Sequence, residues 1–293
     1  MFDQIYIVRK LNNKDSTAVR AVVNIITGAA ADPSCHMAIV DSSEDVDDKT
    51  LVIAVGGDGT MLEAMRLAAR TGAIATGINL GQVGFLTDFV YNKYNNQLRD
   101  ELISLFCGKN FYGPTSYLIE KRMALSFRPT DNKVDMPIFN EFVLSNLYSD
   151  HLIKYRLQID DMDAGYHKAN AIIVGTPTGS TAYTLSSGGG LVYPSMDVIQ
   201  IVPVAPLSLS SRPIIVPGTS CVRLTIETEG VWTLKGDGSR LCEFGKKDRI
   251  LGDPITIGPE IEITRYKDKT RILHPPGWNF FDMLTNKLHW RKS

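Results

Sequence analysis

In the stretch TLVIAVGGDGTMLEAMRLAA (Thr50–Ala69) an apolar run meets a glycine-rich turn and then a helical pattern, and the turn carries Asp58 at its centre. Glycine turns between a strand and a helix commonly hold phosphate on backbone amides. A carboxylate repels phosphate. The chemistry open to Asp58 is therefore to hold a cation or to take a proton from a hydroxyl, and both belong to phosphoryl transfer onto an alcohol. The alternative is that Asp58 is a plain turn or helix-start residue, where Asp is common. Gly56, Gly57 and Gly59 let the backbone adopt positive φ and come close to a ligand. Thr60 and Glu63 have the Thr-x-x-Glu spacing of a capping box. Neither a Gly-Lys-Ser/Thr phosphate loop nor a Gly-x-Gly-x-x-Gly fingerprint is present, which counts against a P-loop enzyme and an ordinary dinucleotide dehydrogenase.

Further clusters follow. GINLGQVGFLTDF (Gly77–Phe89) makes a bare-backbone loop through Asn79, Gly81 and Gly84, and Phe85 could either offer its ring to a base or pack in the core. FNEFVLSN (Phe139–Asn146) sets Asn140 beside Glu141; neighbours on a strand face opposite ways, so they converge on one ligand only at a strand end or a bulge. An amide and a carboxylate suit the two hydroxyls of a ribose; the alternative is one side chain outward and the other buried against backbone. AIIVGTPTGSTAYTLSSGGG (Ala171–Gly190) is the densest signal: Thr176, Thr178, Ser180, Thr181, Thr184, Ser186 and Ser187 bring hydroxyls, and the glycines expose amides. Such a surface binds sugar and phosphate oxygens through neutral donors. TLKGDGSRL (Thr233–Leu241) carries a second Asp-Gly at Asp237, read as a hairpin turn and nothing more. The histidines lack metal-site spacing; His36 and His289 stand apart, and His151 and His167 lie near the clusters.

The elements that must position these residues can be read in outline. IYIV (Ile5–Val8), MAIV (Met37–Val40), LVIAV (Leu51–Val55) and AIATGI (Ala73–Ile78) predict strands, with helices over Ser16–Ile26 and Met61–Arg70, the pattern of a parallel sheet covered by helices. Later segments such as KYRLQID, AIIVG, VRLTIET and IEITRY are short, β-branched and separated by Gly, Pro, Asn and Asp, which predicts a β-rich domain. The closing HPPGWNFFDMLTNKLHW turns helical, with Asn279 as N-cap and Phe281, Leu284 and Leu288 on one face. The domain organisation read here is 1–100 plus 271–293, an α/β domain carrying the glycine-Asp turn, and 101–270, a β-rich domain.

With 293 residues, 44% hydrophobic, 22% charged and a formal net charge of −1, the chain has a core sufficient for two domains and no global field to attract nucleic acid or an anionic membrane. Cys35, Cys107, Cys221 and Cys242 form no Cys-x-x-Cys pair and are read, with no secretory signal visible, as reduced thiols of a cytoplasmic protein. No apolar run approaches the ~20 residues of a membrane span.

In order, GGDGT, NLGQVGFL, NE and TPTGSTAY resemble the marks of the NAD kinase family: Gly-Gly-Asp-Gly-Thr after a strand, Asn-x-Gly-x-x-Gly-Phe-Leu, an Asn-Glu pair and Thr-Pro-Thr-Gly-Ser-Thr-Ala-Tyr. SLSSRPIIVP (Ser208–Pro217) and the closing segment are similar to later family segments. GGDGT alone is shared with diacylglycerol- and sphingosine-type lipid kinases; the four motifs together are specific. The resemblance implies a Rossmann-like α/β domain, a β-sandwich-like domain and a C-terminal helix returning to the first. It implies a kinase that moves a phosphoryl group from ATP to the adenosine 2′-hydroxyl of NAD, with Mg or Mn carried mainly by the ATP phosphates and no protein metal site. Asp58 then matches the general base, and Gly57, Gly59 and Thr60 lie against phosphates. Phe85 lies against adenine, and Asn140 and Glu141 hold NAD. Thr178, Thr181, Ala182, Tyr183 and Ser186 line the dinucleotide site, and His151, Lys168, Asn170, Ala205 and Ser239 complete it. Family members assemble as homodimers or homotetramers. Three departures stand out: Lys168 where Arg is frequent and Asn170 where Asp is usual, which bears on NAD against NADH; Ser239 where Gln is frequent; and Gly190 in place of a common Pro. The alternatives carried forward are a lipid kinase and a non-catalytic NAD(P)-sensing relative.

Overall fold

The computed structural model describes residues 2–9, 17–35, 37–81, 84–109, 116–129, 134–147, 152–227, 231–244, 249–250, 260–267 and 269–290. The chain divides into two compact units, Met1–Lys121 with Thr270–Ser293, and Arg122–Lys269. The boundary read from sequence texture at residue 100 thus lies at Lys121, because the helix and strand that follow residue 96 belong with the first unit.

In chain order the elements begin with β1 (Gln4–Arg9), α1 (Thr17–Ala30), β2 (Ala38–Val40), β3 (Thr50–Val55), α2 (Asp58–Thr71), β4 (Ile74–Asn79), β5 (Phe89–Val90), α3 (Gln97–Phe106) and β6 (Leu118–Arg122). They continue with β7 (Leu125–Pro129), β8 (Val134–Ile138), β9 (Glu141–Asn146), β10 (Ile153–Ile159), β11 (Met162–Ala169), β12 (Ala171–Gly175), the one-turn α4 (Tyr183–Ser186), β13 (Val198–Val204) and β14 (Ile214–Pro217). The last are β15 (Val222–Ile226), β16 (Trp232–Gly236), β17 (Ser239–Phe244), β18 (Arg249–Ile250), β19 (Glu260–Arg265), β20 (Thr270–His274) and α5 (Phe280–Leu288).

The first unit is built on a 7-stranded sheet in the order β2-β1-β3-β4-β20-β6, with β5 beside β4. The pairs β1/β2, β1/β3, β3/β4, β4/β5 and β4/β20 are parallel. Strands β3 and β4 are buried along their whole length, as expected of parallel strands covered on both faces, and this explains the unbroken apolar run Leu51–Val55; in β4 the buried Thr76 hydroxyl donates to the Leu273 carbonyl at 2.9 Å. On α1 the buried Val19, Val22, Ile26, Ala29 and Ala30 recur at helical spacing. The end of the chain returns to this unit: β20 lies parallel to β4, with Arg271 opposite Ile74 and Ile272 opposite Ala75.

The second unit is a pair of sheets, 6-stranded β11-β10-β15-β19-β7-β8 and 7-stranded β14-β13-β12-β9-β16-β17-β18. One apolar cluster takes Phe127, Tyr155, Leu224 and Ile263 from the first sheet and Phe142, Ile172, Ile201 and Leu234 from the second, which makes the unit a sandwich. The α/β-plus-β-sandwich architecture and the returning C-terminal segment match the expectation.

Three local expectations are corrected. Helix α2 starts at Asp58 with Gly57 as N-cap and no side-chain cap, so Thr60 lies buried in its first turn and no capping box forms. On α5, Asn279 does cap, accepting from the Phe281 amide at 2.9 Å, but Phe280 is the buried ring and Phe281 is exposed. Cys35 and Cys107 form a disulfide across 72 residues of sequence, where reduced thiols were expected. Packing of α1 against α3 brings the two α-carbons to 4.5 Å, a proximity no local spacing reveals. Cys221 and Cys242 are free. Among the described residues no helix is long and apolar enough to cross a membrane.

Candidate active site

Strand β3 delivers the chain into the glycine turn. Only Gly56 there has positive φ, at 156°, and a Cβ on it would lie 2.5 Å from Thr60 Oγ1. Gly57, at φ −94°, is extended, and Gly59 is already helical. Asp58 opens α2, where the positive end of the helix dipole favours a carboxylate. Both its oxygens accept backbone hydrogen bonds: Phe85 N–H to Oδ2 at 2.9 Å and Leu86 N–H to Oδ1 at 3.1 Å. Gly84 permits this approach, since a Cβ on it would stand 1.8 Å from Asp58 Oδ1. Asp58 remains partly exposed, and a carboxylate has roughly four acceptor positions, so two N–H bonds orient it without exhausting it. The loop is pinned from within as well: Asn79 Nδ2 donates to Thr87 Oγ1 at 2.9 Å, and Asn79 Oδ1 accepts from Gly81 N–H at 2.8 Å.

In the second unit Asn140 stands just before β9 and Glu141 opens it, the strand-end placement that lets neighbouring side chains serve one ligand. The Asn140 main chain is fixed from both sides. Its N–H donates to Asp237 Oδ1 at 2.7 Å, and its carbonyl accepts from Thr176 N–H at 2.9 Å. The Thr176 hydroxyl donates to the Phe139 carbonyl and accepts from Gly179 N–H at 3.2 Å. Gly179 comes so close that a Cβ would lie 2.2 Å from the Asn140 oxygen. Burial, and secondarily the charge of Asp237, push the Glu141 carboxyl up to about 8. Its Oε2, like Thr178 Oγ1 and Thr184 Oγ1, is buried without a hydrogen-bond partner among the described residues.

TPTGSTAY folds as a 3-10 turn, Thr178–Thr181, followed by α4. The tight turn divides its hydroxyls. Thr176, Thr178, Ser180 and Thr184 are buried, and Ser180 Oγ is engaged with Val192 N–H and C=O at 3.1 and 3.2 Å. Thr181 and Ala182 are half-buried, and Tyr183 and Ser186 exposed. Lys168 and Asn170 are exposed at and after the end of β11, Ala205 is exposed at φ 43° after β13, and Ser239 is exposed at the start of β17. Phe85 is half-buried. His151 lies outside the described residues.

The residue that sequence reading missed is Asp237. It is a hairpin turn residue, with φ 47° followed by Gly238 at 77° between Gly236 and Ser239, the left-handed pair of a type I′ turn. Its side chain also accepts from the Phe139 and Asn140 amides and its own N–H donates to the Glu141 carbonyl at 3.1 Å. The Asp-Gly signal was visible, but the turn alone was a sufficient explanation for it.

Residues 14–103 match the family described as ATP-NAD kinase N-terminal domain, and residues 139–251 the ATP-NAD kinase C-terminal domain. The NAD kinase of Shewanella woodyi is 36% identical over 258 residues, 88% of this chain and 82% of that protein. That of Psychrobacter arcticus is 35% identical over 246 residues, 82% of this chain and 69% of that protein. Both halves of the chain thus match one class of kinase. The chain belongs to the NAD kinase family. Two solved structures share its fold at 21% identity: a yeast NADH kinase complexed with NADH, at TM-score 0.77 over 100% of this chain and 89% of that one, and an Archaeoglobus fulgidus NAD kinase in complex with ATP, at 0.71 over 98% of each.

Proposed function

We propose that this chain transfers the γ-phosphoryl group of ATP to the 2′-hydroxyl of the adenosine ribose of NAD, giving NADP and ADP. The observation that carries the reading is Asp58, oriented by two backbone amides at the start of α2 and still partly open to solvent. Asp58 takes the hydroxyl proton as the new O–P bond forms and the bond to the ADP leaving oxygen breaks. Among the described residues no group of three or more His, Cys, Asp or Glu could hold a metal ion. In this reading a divalent cation, Mg or Mn, arrives on the ATP phosphates and neutralises their charge.

Glu141 and Asn140 hold NAD through ribose hydroxyls. With its carboxyl at about 8, Glu141 is protonated near neutral pH and can donate to a sugar oxygen. Thr181, Tyr183 and Ser186 offer outward hydroxyls to the dinucleotide, and Lys168, Asn170, Ala205 and Ser239 are assigned to its remaining contacts by family pattern. The proposal includes a homodimer or homotetramer, in which exposed Leu207, Leu209, Ile214 and Ile215 would be covered.

The reading is tested by incubating the purified protein with NAD and Mg-ATP and detecting NADP with an NADP-specific dehydrogenase. NADP formation is expected. Its absence overturns the proposal; phosphorylation of diacylglycerol or sphingosine instead would install a lipid kinase, and binding of NAD with no turnover a sensing module.

A further inference from the structure

His274, at the end of β20, is buried and takes no part in the chemistry above. Its Nδ1 lies 2.6 Å from Asp88 Oδ2, and its Nε2 lies 3.2 Å from Glu120 Oε2. The ring therefore bridges two carboxylates with both nitrogens facing acceptors. Trp278 stacks on the imidazole with centroids 4.0 Å apart, and its Nε1 donates to Asp88 Oδ1 at 3.1 Å. Asp88 is held from two directions. The side chains of His274, Asp88 and Glu120 are only 2%, 8% and 6% exposed, so these bonds are little weakened by solvent or salt.

Thr87 and Asp88 are the residues directly after Leu86, whose amide, with that of Phe85, grips Asp58. Thr87 is anchored to Asn79, and Asp88 to His274 and Trp278. An anchor two residues from the hydrogen bond that holds the proposed base constrains its geometry, and a misplacement of ~1 Å at a reacting group costs on the order of 10²-fold in rate. We propose that His274 is a positioning residue for phosphoryl transfer, fixing Asp88 so that the Phe85 and Leu86 amides meet the Asp58 carboxylate. The inference rests on the reading of Asp58 as the base.

The experiment is a double-mutant cycle in the NADP-forming assay with His274→Phe, Asp58→Asn and the double variant, normalised to folded protein by thermal unfolding. His274→Phe is expected to lower kcat roughly 10–100-fold with KM for NAD and for ATP within about threefold. His274→Gln, which keeps one amide donor, is expected to recover part of the loss. In the Asp58→Asn background His274→Phe is expected to add less than about threefold, because its effect runs through Asp58. Should His274→Phe fail to fold, Asp88→Asn, which retains an acceptor for Trp278, enters the same cycle. Full kcat per folded molecule, or losses that multiply in the double variant, overturn the positioning role while leaving Asp58 as base. Normal turnover of Asp58→Asn overturns the base itself, a separate failure.

Discussion

The Phe85 amide donates to Asp58 Oδ2 across 2.9 Å, so the residue assigned to the adenine also steadies the residue assigned to the proton. Two motifs of the first unit, the glycine turn and the loop after β4, are one structure held by a carboxylate. Asp58 thus has an architectural task beside the chemical one proposed for it.

Substituting Asp58 by Asn is expected to cut kcat by roughly 10²–10⁴-fold, the usual reach of a general base. One oxygen becomes an NH₂ group facing an N–H donor, so one of the two loop bonds is lost as well. Hydrogen exchange at the Phe85 and Leu86 amides should accelerate in this variant. Wild-type turnover would mean the proton leaves by another route.

Gly84→Ala should reproduce much of that defect without touching the carboxylate. Its Cβ would fall 1.8 Å from Asp58 Oδ1, forcing the carboxylate or the loop aside, and a loss of at least about tenfold in kcat is expected. Gly28→Ala is the control: nothing lies within 4 Å of a Cβ there, it is exposed in the last turn of α1, and it should raise stability by up to ~1 kcal/mol. Equal activity in the two variants would refute the steric coupling.

Glu141 predicts an unusual dependence of stability on pH. Its folded carboxyl sits at about 8 against an ordinary value of 4.5, so between these values the folded state binds the extra proton. Stability is then full below about 4.5 and falls as pH rises through about 8, a loss on the order of a few kcal/mol in the ligand-free protein. Glu141→Gln, a mimic of the neutral carboxyl, should flatten that slope in denaturant titrations run from pH 5 to 8.5. A wild-type curve already flat there contradicts the shift.

Asp237→Asn separates charge from hydrogen bonding. It keeps an oxygen for the Phe139 and Asn140 amides but removes the charge that helps raise Glu141. The upper end of the falling limb should move to lower pH, while burial, the larger cause, keeps it above the ordinary value. Asp237→Ala leaves the buried Phe139 amide without that acceptor and should cost about 1–3 kcal/mol more. An unchanged limb in Asp237→Asn would rule out the coupling between the two carboxyls.

What could be read from the sequence was set by how local its cause is. β3 was legible because a strand buried on both faces is mostly apolar, as Leu51–Val55 is, and β4 because its few polar residues, Thr76 and Asn79, interrupt an otherwise small and apolar run. Side-chain alternation left Asn140 and Glu141 a strand end or a bulge as the places from which both could meet one ligand, and only the fold has them at the strand end. The helix of FFDML was found but its phase was one residue off: Phe280 and Phe281 are adjacent, and only the packed sheet decides which turns inward. The Thr60–Glu63 box failed because Asp58, bonded to a loop 27 residues away, extends the helix past it. Asp237 and the Cys35–Cys107 bond share the same difficulty, since their partners lie 97 and 72 residues distant.

The parallel pairing of β20 with β4 sets the timetable of biosynthesis. Thr76 donates to the carbonyl of Leu273, 197 residues later, so a ribosome makes the whole sandwich before it supplies the strand that finishes the first sheet. Until then Ile74 and Ala75 of β4 lack their β20 neighbours, and Asp88 lacks His274 and Trp278. A nascent chain stalled within the sandwich should accordingly keep its opening third sensitive to protease, whatever the maturity of the portion that follows.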